Sequence, residues 1–226
     1  MLFRSMSGYA EISKDLSAAA VAMEKPIPSL LAVSKKQPIE KVLEVYREGQ
    51  RDFGENYAQE LDDKAKKMPP DCCWHFIGPI QSNKIKIIAK HASWVHSLSS
   101  VKHATILERE LEKLNKKINA LIQVNVDDES SKHGIRDNKD FMELAKILKR
   151  SNWIMLRGFM MLPKLNKSKE ELSNLGLRIN EYKKILYEIG CTDCVISLGT
   201  SSDYQEAIKL GSTLIRVGEK IFGNRF

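Results

Sequence analysis

Along the chain, apolar positions at helical spacing take turns with short continuous apolar runs. Ile12, Leu16, Ala19 and Met23 recur every three to four residues, which predicts a helix ended by Pro26 and Pro28. SLLAVSK (29–35) is then a continuous apolar run of strand length. Pro38 opens a helix over 38–49, with Ile39, Val42, Leu43 and Tyr46 on its apolar side and Gly49 at its end. The same alternation repeats down the chain. Further strands are predicted at 51–55, 74–78, 94–97, 120–126, 155–161, 195–198 and 213–217. Helices are predicted at 56–67, at 82–90 and at 203–210. Another runs through Leu107, Leu111, Leu114 and Ile118, and another through Phe141, Leu144, Ala145 and Leu148. Ser168 and Glu171 have capping-box spacing and open a long helix that Gly190 ends. A short helical turn follows the last strand.

This gives eight strands, each followed by a helix, and one extra helix in front. Strict alternation means parallel strands joined by crossovers. A doubly wound open sheet is one closure. Eight β/α units in 226 residues suit a closed (β/α)8 barrel of the TIM type better. No linker or shift in composition divides the chain, so a single domain over 1–226 is expected.

Composition narrows the function classes. Hydrophobic residues make up 42% and charged residues 29%, a globular balance. No apolar run approaches the roughly 18 residues of a membrane span. Ser5, Ser7 and Tyr9 interrupt the N-terminal stretch, which argues against a secretory signal. The net charge is +7, but lysines such as Lys64, Lys66, Lys113 and Lys117 are interleaved with acids. A solvated surface, rather than a nucleic-acid stripe, is expected. Cys191 and Cys194 have CxxC spacing without a matching second pair, so neither a disulfide scaffold nor a metal is expected. The expected protein is a cytoplasmic monomer with no nucleic-acid or membrane partner.

In a β/α barrel the chemistry lies at the C-terminal ends of the strands. The first strand ends at Ser34-Lys35-Lys36, the second at Gly54-Glu55-Asn56, and the seventh runs into Gly199-Thr200-Ser201-Ser202. The eighth ends at Arg216-Val217-Gly218. The loops after strands seven and eight are the usual phosphate site of this fold. Gly199 and Gly218 allow close backbone approach, and Thr200, Ser201 and Ser202 offer hydroxyls near a helix N-terminus. Ser202 also has the spacing to cap that helix with Gln205, which is compatible with a bound anion. Lys35 closes an apolar strand, where its charge must be paired or lost. A lysine amine in such a place is a nucleophile toward aldehydes, although a strand-end lysine can also snorkel into water. Strand alternation would send Lys35 and Lys36 to opposite faces. A lysine and a phosphate loop across one barrel mouth suggest a Schiff base with a phosphorylated aldehyde, a description that pyridoxal 5'-phosphate (PLP) fits. Arg216 is suited either to the phosphate or to a pyridine nitrogen, or to a structural ion pair.

Seven stretches carry a resemblance over nearly the whole chain. They are LLAVSK (30–35), FGENYAQE (53–60), WHFIGPIQSNK (74–84), SKHGI (131–135), RGFMMLP (157–163), SLGTSSDYQEAI (197–208) and IRVGEKIFGNR (215–225). In order and spacing the chain resembles the pyridoxal phosphate homeostasis proteins, whose barrel resembles the N-terminal domain of alanine racemase, a fold-type III PLP barrel. The resemblance implies that Lys35 forms the aldimine with PLP and that Asn56 lies near the cofactor ring. It implies that Ser201 contacts the phosphate with Thr200 beside it, that Gly218 offers backbone, and that Arg216 faces the pyridine nitrogen. His75 and Met160 lie on strands lining the mouth without an assigned role. Glu219 stands where the family usually has Thr or Ser, so it must turn outward or pair with Lys220.

The implied role is intracellular PLP homeostasis without appreciable catalysis, with PLP-requiring apoenzymes as candidate recipients. An arginine does not give up a proton to the ring nitrogen, and an unprotonated ring is a weak electron sink. The rival is a PLP-dependent amino-acid racemase. The chain ends at Phe226 and its last tyrosine is Tyr204, so the opposite-face tyrosine that racemases draw from a further domain is not expected. An aldolase-type lysine site is a third reading, without support from the motifs.

Overall fold

Each predicted apolar run becomes a parallel strand, and neighbours in sequence become neighbours in the sheet. In the computed structural model, which describes residues 7–127 and 133–223, the strands are β1 (Ser29–Val33), β2 (Asp52–Glu55), β3 (Cys73–Phe76) and β4 (Trp94–Leu98). They continue as β5 (Ile118–Val124), β6 (Ile154–Met161), β7 (Val195–Ser197) and β8 (Leu214–Val217). β8 returns to β1 in parallel, with Ser29 opposite Leu214 and Ala32 opposite Val217, and this pairing closes the expected barrel. Residues 131–132 of the SKHGI stretch and 224–225 of the last motif lie outside the described residues.

The helices are α1 (Gly8–Ala22), α2 (Ile39–Arg47), α3 (Ala58–Ala65), α4 (Ile85–His91), α5 (Val101–Lys113), α6 (Asn138–Arg150), α7 (Lys169–Glu188), α8 (Tyr204–Lys209) and α9 (Glu219–Phe222). The extra N-terminal helix α1 packs on α8 and α9, in the outer ring. The capping box of α7 forms as predicted, with Ser168 and Glu171 satisfying each other's backbone N–H groups. Two boundaries differ from the sequence pattern. Ile118 opens β5 instead of extending α5, because Asn115 turns into the left-handed region at φ +48° and ends the helix. The segment predicted as one helix from residue 82 begins as a 3-10 turn, Ser82–Lys84, before α4.

Side-chain alternation divides the interior into two shells. On β3 Trp74 and Phe76, on β4 Val95, on β7 Ile196 and on β8 Ile215 and Val217 face the helices and join the apolar layer with Phe141, Phe159 and Tyr182. Fully burying one such side chain is worth about 1.5–3 kcal/mol. The residues between them, His75, His96, Ser197 and Arg216, are buried polar groups inside the barrel.

Candidate functional site

The six residues expected at the site all reach one cavity. Lys35, Asn56, Thr200, Ser201, Arg216 and Gly218 line a volume of about 290 Å³ at the C-terminal mouth of the barrel. Val33, Ile77, Met160 and Leu162 supply its apolar wall. Met160 is therefore at the mouth, as expected. His75 is not, because its side chain points toward the opposite end.

Lys35 and Lys36 do diverge, but by a turn and not by strand alternation. β1 stops at Val33, and Lys36 adopts a left-handed φ of +57°. Its backbone N–H donates to Glu60 Oε2 at 2.7 Å, and its amine lies 6.0 Å from the Tyr57 ring centroid, outside the cavity. Behind Lys35 a buried ion pair fixes the ends of β1 and β2 together. The Lys64 ammonium donates to Glu55 Oε1 (2.7 Å), to Glu60 Oε2 (2.9 Å) and to the Ser34 carbonyl (2.6 Å). Ser34 Oγ donates to the same Glu55 oxygen at 2.6 Å. Burial nevertheless pushes the Glu55 carboxyl up to about 7, against the pull of Lys64 and Ser34. Its second oxygen, Oε2, is buried without a hydrogen-bond partner, so nothing there rewards a charge.

Asn56 follows β2 directly. A β-carbon on Gly78 would sit 2.0 Å from the Asn56 carbonyl oxygen, so the close approach of the β3 end requires glycine. Asn56 Oδ1 is buried with no hydrogen-bond partner. A buried amide oxygen in that state is an acceptor waiting for a donor.

The loop after β7 differs from the expected cap. Ser202 does not cap α8; Asp203 occupies the cap position and accepts from both the backbone N–H and the hydroxyl of Thr200, each at 2.7 Å. Thr200 thus spends its hydroxyl proton on Asp203, and Ser201 remains the better hydroxyl donor toward the cavity. Gly199 makes the turn at φ +96°, where a β-carbon would meet that of Ala207 at 2.5 Å. Glu219 is exposed but still lines the rim of the cavity, and it does not take Lys220 from the Tyr204 ring, which that amine approaches to 4.8 Å.

Arg216 has the most elaborate surroundings, and sequence reasoning missed them. Arg216 is 4% exposed, and its guanidinium donates from Nη1 to Ser197 Oγ (2.5 Å) and from Nη2 to the Met161 carbonyl (2.9 Å). Burial brings its pKa down to about 10, opposed by the Asp203 carboxylate, and it stays charged at neutral pH. Beyond Ser197 the chain of contacts continues down the barrel axis. Ser197 Oγ meets His96 Nδ1 at 3.1 Å, His96 Nε2 meets His75 Nδ1 at 2.9 Å, and His75 Nε2 meets Asp52 Oδ1 at 2.9 Å. Burial holds His75 below its ordinary value despite Asp52, and holds His96 well below. Burial also pushes Asp52 up, but the hydrogen bond and charge of His75 outweigh it and leave the carboxyl below its usual range. With both rings neutral and Asp52 ionised, each link has one available direction. Arg216 donates to Ser197, Ser197 to His96, His96 to His75, and His75 to Asp52. The only sequence signal was a histidine inside each of two apolar strands, CWHF and WVHSL.

One amine, one guanidinium, a serine hydroxyl and an orphaned amide oxygen around an apolar-walled cavity suit a small anionic ligand with an aldehyde and a polar ring. The chain matches the family model described as alanine racemase, N-terminal domain, over residues 10–225. A pyridoxal phosphate homeostasis protein of Pasteurella multocida is 36% identical, over 96% of this chain and 95% of its own. The protein of that name from Escherichia coli is 35% identical, over 96% and 94%. Among solved structures, PipY of Synechococcus elongatus without PLP superposes with a TM-score of 0.81 at 30% identity, covering 92% of this chain and all of its own. With PLP bound it superposes with a TM-score of 0.78 at 29% identity over the same shares. An alanine racemase of Clostridium difficile shares the fold, with a TM-score of 0.75, 12% identity, 95% of this chain and 57% of its own.

Proposed function

The chain belongs to the pyridoxal phosphate homeostasis protein family, and from that premise we propose that it binds PLP at the C-terminal mouth of its barrel and serves intracellular PLP homeostasis as a carrier. The observation that supports this most is the single cavity that gathers Lys35, Asn56, Ser201, Arg216 and Gly218.

Bound PLP supplies an aldehyde that a protein amine captures with loss of water. Lys35 would present that amine, and the Glu55–Lys64 pair anchors the backbone of the preceding residue through the Ser34 carbonyl. Ser201 and the backbone at Gly218 would hold the phosphate, with Thr200 shaping the loop through Asp203. Arg216 would serve the ring nitrogen, and Asn56 Oδ1, buried without a partner, would accept from the ligand's polar edge.

Two features favour a carrier over a racemase. Arg216 keeps its protons at neutral pH, so the ring nitrogen gains none from it and carbanion chemistry is poorly supported. Racemisation needs a base on each face of the substrate carbon. Among the described residues lining the cavity there is no tyrosine, and the one carboxylate, Glu219, is an exposed residue at its rim. The role calls for PLP-requiring apoenzymes as recipients, and we place the protein in the cytoplasm as a monomer. Among the described residues no helix is long and apolar enough to cross a membrane.

The test is PLP titration of wild type beside Lys35→Ala, followed by absorbance and by the PLP retained after dialysis. Wild type retains about one equivalent with a new visible band, and the variant, folded by circular dichroism, retains neither. A wild type that holds no PLP overturns the proposal.

A further inference from the structure

At the opposite, N-terminal mouth the barrel carries a second cluster that the cofactor role does not use. Cys73 and His75 are two residues apart on β3, so strand alternation sends both side chains to the same face. Asp52 pairs directly across from Cys73 on β2. His75 Nε2 lies 2.9 Å from Asp52 Oδ1 and 3.4 Å from Cys73 Sγ, and the three ligand atoms lie within 4.8 Å of one another. With metal–ligand bonds of about 2.0–2.3 Å, tetrahedral zinc ligands stand roughly 3.3–3.8 Å apart. Two sides of the triangle lie within or just below that range, and no pair stands more than 4.8 Å apart.

From this geometry we infer that Asp52, Cys73 and His75 form a binding site for a divalent transition metal of the zinc class. The donor set is one sulfur, one imidazole nitrogen and one carboxylate oxygen, which suits zinc and its neighbours and not calcium or magnesium. A cavity of about 240 Å³ has Asp52 and His75 in its wall and leaves room for a water as fourth ligand. The Asp52 side chain is 45% exposed, which gives the ion a way in, whereas His75 is 2% exposed. The histidine ring is also held as metal-binding imidazoles are. His96 fixes its other nitrogen at 2.9 Å, and the Trp94 ring stacks on it at 5.5 Å with an interplanar angle of 3°. On coordination the Cys73 thiol gives its proton to solvent and its sulfur pair to the metal. The His75 proton moves from Nε2 to Nδ1, the His96 proton moves likewise from Nε2 to Nδ1 so that His96 Nε2 accepts from His75 and His96 Nδ1 donates to Ser197 Oγ, and no electron is transferred. The sequence pattern offered no such site because its members come from two strands and are not spaced as a metal motif.

The experiment is titration of the purified protein with cadmium, following the ultraviolet sulfur-to-cadmium charge-transfer band, and with cobalt, following its visible bands. We expect one equivalent of each metal, displaced by zinc. Cys73→Ser abolishes the cadmium band, and Cys72→Ser leaves it intact. Asp52→Asn, which keeps the core sulfur and imidazole, weakens affinity by at least the roughly tenfold that even outer-shell partners contribute. Absence of metal uptake by wild type overturns the inference. So does a band that survives Cys73→Ser and disappears in Cys191→Ser, since the CxxC pair is then the ligand. If Cys73→Ser does not fold, unchanged affinity in Asp52→Asn overturns it instead.

Discussion

Glu55 and Lys64 meet at 2.7 Å with side-chain exposures of 0% and 8%, directly beneath the residues that present Lys35 and Asn56. Burial dominates the carboxyl and raises it to about 7, so the folded protein keeps a proton that the unfolded chain releases near its ordinary value of 4.5. Between those two values the native state binds more protons, and this group's contribution to stability falls as pH rises. Wild type should therefore lose stability relative to Glu55→Gln on going from about pH 5 to about pH 7.5. Paired thermal melts at the two pH values check this; a gap that is constant or moves the other way would contradict it.

Lys35, and not Lys36, should carry the pyridoxyl group after borohydride reduction of the PLP-loaded protein. Lys36 is turned out by its left-handed backbone, with its amine beside Tyr57. Peptide mapping reads the result, and label found mainly on Lys36 would reverse the assignment.

Ser201→Ala should weaken PLP retention without altering the fold. A hydrogen bond to a charged group is worth about 1.5–3 kcal/mol, or roughly tenfold to a hundredfold in affinity. Thr200→Val should act differently, because the Thr200 hydroxyl is given to Asp203 and its loss loosens the loop. Equilibrium dialysis and melting curves on both variants separate the two effects. Unchanged affinity in Ser201→Ala would mean that backbone N–H groups alone hold the phosphate.

Ser197→Ala should damage both stability and PLP retention, although by the site assignment Ser197 does not line the cavity. The variant leaves a guanidinium N–H without its acceptor and His96 Nδ1 without its donor, both buried. Each buried group left unsatisfied costs about 1–3 kcal/mol. Urea unfolding measures the first effect and dialysis the second; a neutral result in both would show that water replaces the hydroxyl.

PLP-loaded protein should not racemise alanine, serine or glutamate at an enzymatic rate. Incubation of single enantiomers in heavy water, with chiral separation and deuterium uptake at Cα, checks this. Turnover of roughly 1 s⁻¹ or more would restore the racemase reading.

The barrel was legible because a short apolar run of strand length gives way to apolar positions at helical spacing eight times over. The shared cavity was legible through position, because residues closing strands one, two, seven and eight must meet at one mouth, whereas the roles of Asn56, Ser201 and Arg216 toward PLP rest on the resemblance. Local backbone was less so. Lys36 takes a left-handed turn that no propensity announces, and leucine spacing runs through Asn115 although the helix stops there. The cap of α8 fell to Asp203 because Thr200 offers it two donors at once. Least legible were contacts that exist only once the sheet closes. His96 and Ser197 are 101 positions apart, and their strands reach each other only across the barrel axis.

That axial row of side chains sets the safest core against the most useful one. An interior refilled with leucine and valine would bury more apolar area, and replacing buried charged groups by apolar ones of similar volume is often neutral or stabilising. The same repacking would strip Arg216 of Ser197 and leave its guanidinium held at the cofactor mouth by the Met161 carbonyl alone. Selection of this protein for heat resistance alone should therefore drift toward variants that melt later and hold PLP less well. Thermostability and cofactor retention are opposed in the middle of the barrel, far from any surface at which either is usually tuned.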